Sequence, residues 1–305
     1  MKKRVVLAMI MMTMVSMVLA EEDMTPPLPT HCVHGYSGIF ITPTAYLANP
    51  ATKGEIFGKP SVSATAAFLR HKDYQSFVVT ENLWGPIELG YAAERIGLGD
   101  WPHEVRSVGL PDVDNEVYVH NFNVRWNMIQ EGGFDCMWMP AITFGSHFKW
   151  NDGLSTINRQ LNGSCHALGA DHTFGTEFTA TASKTIQKVL PNPFIISGGI
   201  RNSDAIHTGL LGFAGERKTT LEGNFVYFLT DKLLVATEYR QKSDLLTPCT
   251  HGGKELIKPE DDWWDICLAY VFDPHLTLAG GYANFGNVLN NNEDNVWAFQ
   301  LKYEF

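Results

Sequence analysis

The last nine residues of the chain, from Trp297 to Phe305, alternate large apolar side chains with small or polar ones and end on an aromatic residue. Successive side chains of a strand point to opposite faces. One face therefore carries Trp297, Phe299, Leu301, Tyr303 and Phe305, and the other carries Gln300, Lys302 and Glu304. Such a strand is typical of an outer-membrane β-barrel, in which one face meets lipid and the other meets the lumen. Tyr303 and Phe305 are candidates for the signal that the barrel-assembly machinery reads.

A soluble β-sandwich would use the same apolar face as its core, and the other end of the chain decides between the two. Residues 1–20 begin with Lys2, Lys3 and Arg4, continue through an apolar run and end on Ala20 before an acidic stretch. This pattern predicts a cleaved secretory signal peptide. An uncleaved membrane anchor is the alternative, but the run is short for a spanning helix.

The charge balance excludes one class of partner. The chain has 33 acidic and 23 basic residues. Loss of the three basic residues of the leader would leave 33 − 20 = 13 negative charges. Such an excess argues against nucleic acid as a partner. The mean hydropathy of −0.10 is compatible with a membrane barrel, because only every second residue of its strands meets lipid.

Runs with a two-residue period recur along the chain and are separated by Gly, Pro, Asn and Asp. We predict twelve strands, at 54–69, 75–83, 86–95, 117–129, 138–150, 172–184, 194–202, 218–229, 232–242, 263–273, 276–286 and 295–305. Short connections alternate with long ones, among them 96–116, 151–171, 202–217 and 242–262. This alternation is typical of a transmembrane antiparallel up-and-down β-barrel with both chain ends in the periplasm.

Charged residues keep to one face of these runs and are expected to line the lumen. The expected lumen-lining residues are Glu88, Glu94, Arg125, Lys149, Glu177, Arg201, Glu222, Glu238, Arg240, Asp265 and Lys302. Two readings stay open. The lumen is either a water-filled path for a polar solute, or it is closed by pairing of these charges with the N-terminal segment. In the second reading, Ser37, Gly38, Thr42, Pro43 and Thr44 would belong to the plug.

Four of the five cysteines allow two disulfides, Cys32 with Cys136 and Cys165 with Cys249, because each pair falls on one predicted side of the membrane. A zinc site in which His166 and His251 join Cys165 and Cys249 is the weaker alternative. A further minor alternative is a lipid-facing hydrolase, in which His120 would lie opposite Ser146 and act as its general base. No metal site or cofactor is predicted.

Residues 37–45, Ser-Gly-Ile-Phe-Ile-Thr-Pro-Thr-Ala, are followed by Gly54 and by Gly-Lys-Pro-Ser at 58–61. In these segments the chain resembles the YjbH-like group of bacterial outer-membrane proteins of unknown function, which begin with SGL-x-x-TPTA; Ile39 stands where Leu is usual. The resemblance implies an outer-membrane barrel and, because some members of the group are associated with exopolysaccharide production, suggests a link to that process.

Together these observations predict a signal peptide at 1–20, a periplasmic leader or lumen plug at 21–53 and a barrel at 54–305. We expect a porin-like channel in the outer membrane of a Gram-negative bacterium, for a polar solute or glycan export. A plugged barrel with a structural or envelope-assembly role is the alternative. The expected partners are outer-membrane lipid, lipopolysaccharide, the barrel-assembly machinery and a polysaccharide.

Overall fold

A computed structural model describes residues 30–305, so the predicted signal peptide lies outside the described residues. Twelve antiparallel strands close into a barrel in which each strand pairs with its neighbours in sequence and the last strand pairs with the first. The strands are β1 (Ser61–Phe68), β2 (Asp73–Leu83), β3 (Ile87–Gly97), β4 (Glu116–Ile129), β5 (Ala141–Asp152), β6 (Phe174–Ile186), β7 (Phe194–Ala205), β8 (Phe213–Thr230), β9 (Leu233–Arg240), β10 (Trp263–Val271), β11 (Leu276–Asn284) and β12 (Val296–Glu304). The predicted fold class is confirmed.

The outer surface of the barrel is apolar because the two-residue period of each strand is kept across neighbouring strands. On β5, Phe144, Phe148 and Trp150 are exposed, whereas Thr143, His147 and Lys149 on the opposite face are buried. Tyr91 pairs with Phe122, and Phe122 pairs with Phe148, so aromatic side chains form a row across three strands. A surface of this kind is solvated by lipid hydrocarbon in a transmembrane barrel.

The connections differ in length at the two ends of the barrel. One end, here the short-turn rim, has the connections 84–86, 130–140, 187–193, 231–232 and 272–275. The other, the long-loop rim, has 69–72, 98–115, 153–173, 206–212, 241–262 and 285–295. The predicted long loop 202–217 is shorter than expected, because β7 and β8 continue pairing up to Ala205 and Phe213. Within residues 30–305, no helix is long and apolar enough to cross a membrane.

The long loops fold over their rim into a cap. It contains the helices α1 (Trp101–Ser107), α2 (Leu154–Gln160) and α3 (Ser164–Ala167) and two small hairpins, Cys249–His251 with Lys254–Ile257 and Asn287–Val288 with Asn291–Asn292. Apolar residues at helical spacing, such as Leu154, Ile157 and Leu161, point into a shared core with residues of the other loops. The cap therefore has a hydrophobic core, which also includes the strand residues Val117 and Val119 at the rim of the barrel.

Residues 30–48, here the plug segment, are buried inside the barrel. The segment makes a hairpin of His31–Cys32 with Tyr36–Ser37 and then returns toward the short-turn rim. Its turn needs glycine, because Gly35 has a φ of 95° and a Cβ there would lie 2.9 Å from the backbone N of Ala92. The chain then runs through residues 49–60 to β1.

Candidate functional site: the closed lumen

The structure places all eleven predicted lumen residues on the inner wall, and none is more than 5% exposed. Charged groups that are shielded from water need partners. Here those partners are main-chain and side-chain atoms of the plug segment, other wall side chains and the loop 206–212. Ser37, Gly38, Thr42, Pro43 and Thr44 all lie in the lumen, within a longer buried segment.

Glu238 holds the tip of the plug segment from β9. Its carboxylate accepts hydrogen bonds from the backbone N–H groups of Phe40 (2.6 Å), Ile41 (3.1 Å) and Thr42 (2.6 Å). The Thr42 hydroxyl donates to the same carboxylate at 2.5 Å. Charge-assisted hydrogen bonds of this kind are about twice as strong as neutral ones. Glu238 thus accepts from three consecutive backbone N–H groups, which are not paired within a strand or a helix.

Arg125 and Glu88 hold both arms of the segment from neighbouring strands β4 and β3. Arg125 donates to the carbonyl oxygens of Ser37 (3.0 Å) and Thr44, and pairs with Glu88 at 3.1 Å. Glu88 accepts from the backbone N–H groups of Ser37 (3.0 Å) and Ala48 (2.8 Å). One ion pair therefore links two points of the plug segment that lie far apart along it.

Uncharged wall side chains also bond to the main chain of the plug segment. Asn123 donates to the carbonyl oxygens of His34 (2.8 Å) and Gly35 (3.0 Å), and Asn224 donates to that of Pro43 (3.0 Å). Because the bonds go to main-chain atoms, they fix the path of the segment more than the identity of its side chains. Sequence reasoning missed these wall residues, although their inward periodicity was visible.

His34 lies between a carboxylate and a guanidinium near the long-loop rim. Its Nδ1 is 2.8 Å from Glu94, and Arg240 donates to its Nε2 at 3.0 Å. The Arg240 bond requires a lone pair on Nε2, so the neutral ring has its proton on Nδ1. Burial lowers the pKa of His34 to about 4, although Glu94 opposes the shift. The segment is therefore held with His34 uncharged.

A second network joins the wall, the plug segment and the loops. Arg201 donates to Glu222 (3.0 Å), to Glu177 (2.9 Å) and to the hydroxyl of Tyr36 (2.9 Å). Lys149 pairs with Glu177 at 2.8 Å and donates to the carbonyl oxygen of Thr208 in the loop 206–212. The ion pairs thus continue from the plug segment to the base of the cap. Lys302 pairs separately with Glu304 near the chain terminus.

The segment has two further anchors that the sequence did not single out. His31 lies against Ser63 (3.1 Å) and Thr80 (3.0 Å), and its carbonyl oxygen accepts from Gln300 at 2.7 Å. At the other end, the Tyr46 hydroxyl donates to Glu131 in a short turn. The sequence signal for Tyr46 was the Thr-Pro-Thr-Ala-Tyr run, but nothing marked Glu131 as its partner.

The two predicted disulfides are absent, and all five cysteines, which lie within the described residues, are free thiols. Cys32 is buried in the lumen, whereas Cys136 is exposed in the turn 130–140 at the short-turn rim. Cys165 and Cys249 lie in the cap without bonding. Burial raises the pKa of the Cys32 thiol to about 12. Within residues 30–305, no group of three or more side chains could hold a metal ion.

The arrangement expected for a lipid-facing hydrolase is wrong. His120 pairs with Trp150, and Ser146 pairs with Val124, four residues further along β5. At about 3.3 Å per residue, the two positions are about 13 Å apart along the strand. The His120 Nδ1 bonds instead to the Tyr91 hydroxyl at 2.8 Å. The slip arises because the turn 130–140 is longer than the sequence indicated.

At the chain terminus, Tyr303 and Phe305 lie beside each other on the outer face, with ring centroids 5.0 Å apart. Phe305 is 57% exposed. Both rings are therefore at the surface of the barrel, at the short-turn rim.

The sequence of residues 29–302 matches a family model described as "Protein of unknown function (DUF3034)". The chain belongs to this family. The match covers nearly the whole chain and includes the plug segment, most of the barrel and the cap. It does not confirm the resemblance to the YjbH-like group. Comparison with curated protein sequences gave no significant match.

Among solved structures, the DUF3034 chain is similar to outer-membrane barrels. A KdgM porin has 9% identity and a TM-score of 0.47, with 80% of this chain and 99% of that one covered. Omp33 of Acinetobacter baumannii has 9% identity and a TM-score of 0.46 over 82% and 99% of the two chains. An outer-membrane channel from Pseudomonas putida F1 has 7% identity and a TM-score of 0.46 over 85% and 98%. At such low identities, nothing about the solute follows for this chain.

Proposed function

We propose that this protein is a porin-like barrel of the bacterial outer membrane that is closed at rest by its own plug segment and passes a polar solute or glycan when the segment leaves. The observation that carries the proposal is that residues 30–48 fill the lumen and bond to its charged wall. A plug that precedes the first barrel strand can move without breaking a strand of the barrel.

The wall that would remain after release supports passage of a polar solute. Six carboxylates and five basic side chains of the predicted set would face water in place of the plug segment. Mixed charges of this kind favour small polar solutes, and their near balance gives weak cation selectivity. Apolar solutes would gain nothing from such a wall.

Conductance in planar bilayers tests the proposal. The mature protein is expected to be silent, because the plug segment fills the lumen. A variant that lacks residues 21–48 is expected to conduct, with a weak preference for cations over anions. A control variant with a Gly/Ser segment of equal length in place of residues 21–48 should also conduct, which would show that the segment's contacts, and not the presence of a chain end, close the barrel.

A barrel that never opens is the second candidate, and the cap favours it. The cap has a hydrophobic core at the long-loop rim, so removal of the plug segment alone leaves one barrier in place. If the deletion variant is folded and silent, and remains silent after the cap loops are shortened, the protein has a structural or envelope-assembly role and the channel proposal is wrong.

The proposal also includes how the protein reaches the outer membrane and what it contacts there. Residues 1–20 would direct export, and the exposed Phe305 with Tyr303 would be read by the barrel-assembly machinery. Lipid would contact the exposed aromatic rows, and lipopolysaccharide the long-loop side. The YjbH-like resemblance of residues 37–45 makes a polysaccharide the first glycan to test as the solute.

A further inference from the structure

A cavity of about 60 Å³ lies where the plug segment, the cap and the barrel wall meet. It touches Phe40 and Ile41 of the plug segment, Leu210 and Val288 of the cap, and Ala283 and Ala298 of the wall. One water molecule needs about 15 Å³ of such space. The cavity is therefore large enough for a small organic molecule, and most of the surface it offers is hydrocarbon.

Two polar atoms on β10 lack a hydrogen-bond partner among residues 30–305, and both belong to residues that line this cavity. They are Nε1 of Trp263, which is 6% exposed, and Oδ1 of Asp265, which is 2% exposed. The two residues are two positions apart on the strand, so they share its inner face. Buried polar atoms are nearly always hydrogen-bonded, and an exception calls for a partner from outside the chain.

The position of Trp263 is fixed by its neighbours. Its ring packs against Phe285 with centroids 4.5 Å apart, and the Lys242 ammonium lies 4.5 Å from the ring centroid. Both contacts use the faces of the indole ring and leave its N–H, on the edge, without a partner. These two contacts hold the indole ring in one orientation, so the direction of its N–H group is fixed.

The chemistry of the two atoms defines what would satisfy them. An indole N–H only donates, and a carboxyl Oδ1 without its own proton accepts. A hydroxyl group does both, so a single hydroxyl can accept from Trp263 and donate to Asp265. The remaining walls require an apolar body of a few carbon atoms.

We propose that the cavity binds a small, mainly apolar alcohol, whose hydroxyl bridges Trp263 and Asp265. Such a ligand contacts plug segment, wall and cap at once, and its binding stabilises the closed barrel by linkage. The inference goes beyond the proposed function, since a barrel that never opens would bind the ligand equally well.

Calorimetric titration of the detergent-solubilised, full-length mature protein with cyclopentanol tests this. Saturable binding at one site is expected, with a rise in Tm that follows the occupied fraction. Cyclopentanone, which can accept from Trp263 but cannot donate to Asp265, should bind about fivefold more weakly, the effect of one hydrogen bond. Trp263→Phe, which keeps a ring but removes the donor, should weaken cyclopentanol binding by a similar factor.

A cavity-filling variant and a matched control complete the test. Ala298→Leu fills the space and should abolish binding, whereas Ala64→Leu adds the same side chain on the outer face and should leave binding unchanged. The proposal is overturned if the wild-type protein shows no saturable binding, which would mean that water alone occupies the cavity. It is equally overturned if cyclopentanol binds to Ala298→Leu, or to Trp263→Phe, as tightly as to the wild type.

Discussion

The plug segment and the cap close the same barrel with different balances of polar and apolar contacts. Apolar side chains of the plug segment, such as Ile39 and Ile41, pack against the wall, but its main chain is held by polar bonds from wall side chains such as Glu238 and Arg125. The cap is held by a hydrophobic core that loops distant in sequence build together. A polar closure inside a barrel depends on complete pairing of its charges. An apolar closure tolerates gradual loss of contacts.

The difference predicts how each closure fails. When one partner of the plug contacts is removed, a buried charge is left alone and the segment is expelled as a unit. When an apolar side chain of the cap is shortened, the cap loosens locally and the segment below it stays in place. Reactivity of Cys32, which is buried within the plug hairpin, reports the first event and not the second.

Arg125→Ala should have the largest effect on the plug segment. It leaves Glu88 without its ion-pair partner and frees two plug carbonyl oxygens. Breaking a buried pair in this way costs about 3–5 kcal/mol. We expect the rate of Cys32 labelling by a maleimide to rise by at least two orders of magnitude. Arg125→Lys, which keeps the charge, should show a smaller rise. Equal protection of Cys32 in Arg125→Ala and wild type would contradict this account of the plug.

Ile206→Ala should affect the cap alone. Ile206 is fully buried in the cap core, and truncation of such a residue costs about 2–5 kcal/mol. Faster proteolysis of the long loops is expected, with Cys32 as protected as in the wild type. Ile200→Ala, on the exposed outer face of the preceding strand β7, is the matched control and should change neither readout. Loss of Cys32 protection in Ile206→Ala would show that the two closures are one unit.

Acidification should have the smallest effect, and it should act on the plug segment. The pKa of His34 is lowered to about 4 by burial, whereas an exposed histidine titrates near 6.5. Between these pH values the released segment therefore binds more protons than the bound segment. The stabilisation that His34 contributes to the bound segment is fully present above about pH 6.5 and is lost as the pH falls toward 4. The gradient is at most about 1.4 kcal/mol per pH unit for one histidine.

Cys32 labelling between pH 7 and 5, corrected for the reactivity of a model thiol, measures this dependence. His34→Asn offers Glu94 a donor and Arg240 an acceptor without titrating, so it should flatten the pH dependence. The pKa of His31 is also lowered by burial, and that residue should account for what remains. An unchanged slope in His34→Asn would remove His34 from the account.

The sequence was sufficient for the barrel and for its inner wall, because one face of every strand must avoid lipid. The period alone placed residues such as Lys149 and Glu177 inside. The period did not reveal which wall residue bonds to which part of the plug segment. Partners such as Phe40 and Glu238 are far apart in sequence, and they come together only when the barrel closes around the segment. The cap was not predicted, because only the lengths of the long loops were used. The helical spacing of Leu154, Ile157 and Leu161 in one of these loops does indicate a helix.

The central claim, that residues 30–48 lie inside the barrel, can be tested on the unaltered protein by thiol labelling in native membranes. Mass spectrometry after brief exposure to a membrane-permeant maleimide should find Cys136, which is exposed at the short-turn rim, fully labelled and Cys32 unlabelled until the protein is denatured. Labelling of Cys32 as fast as Cys136 in the folded protein would contradict the claim.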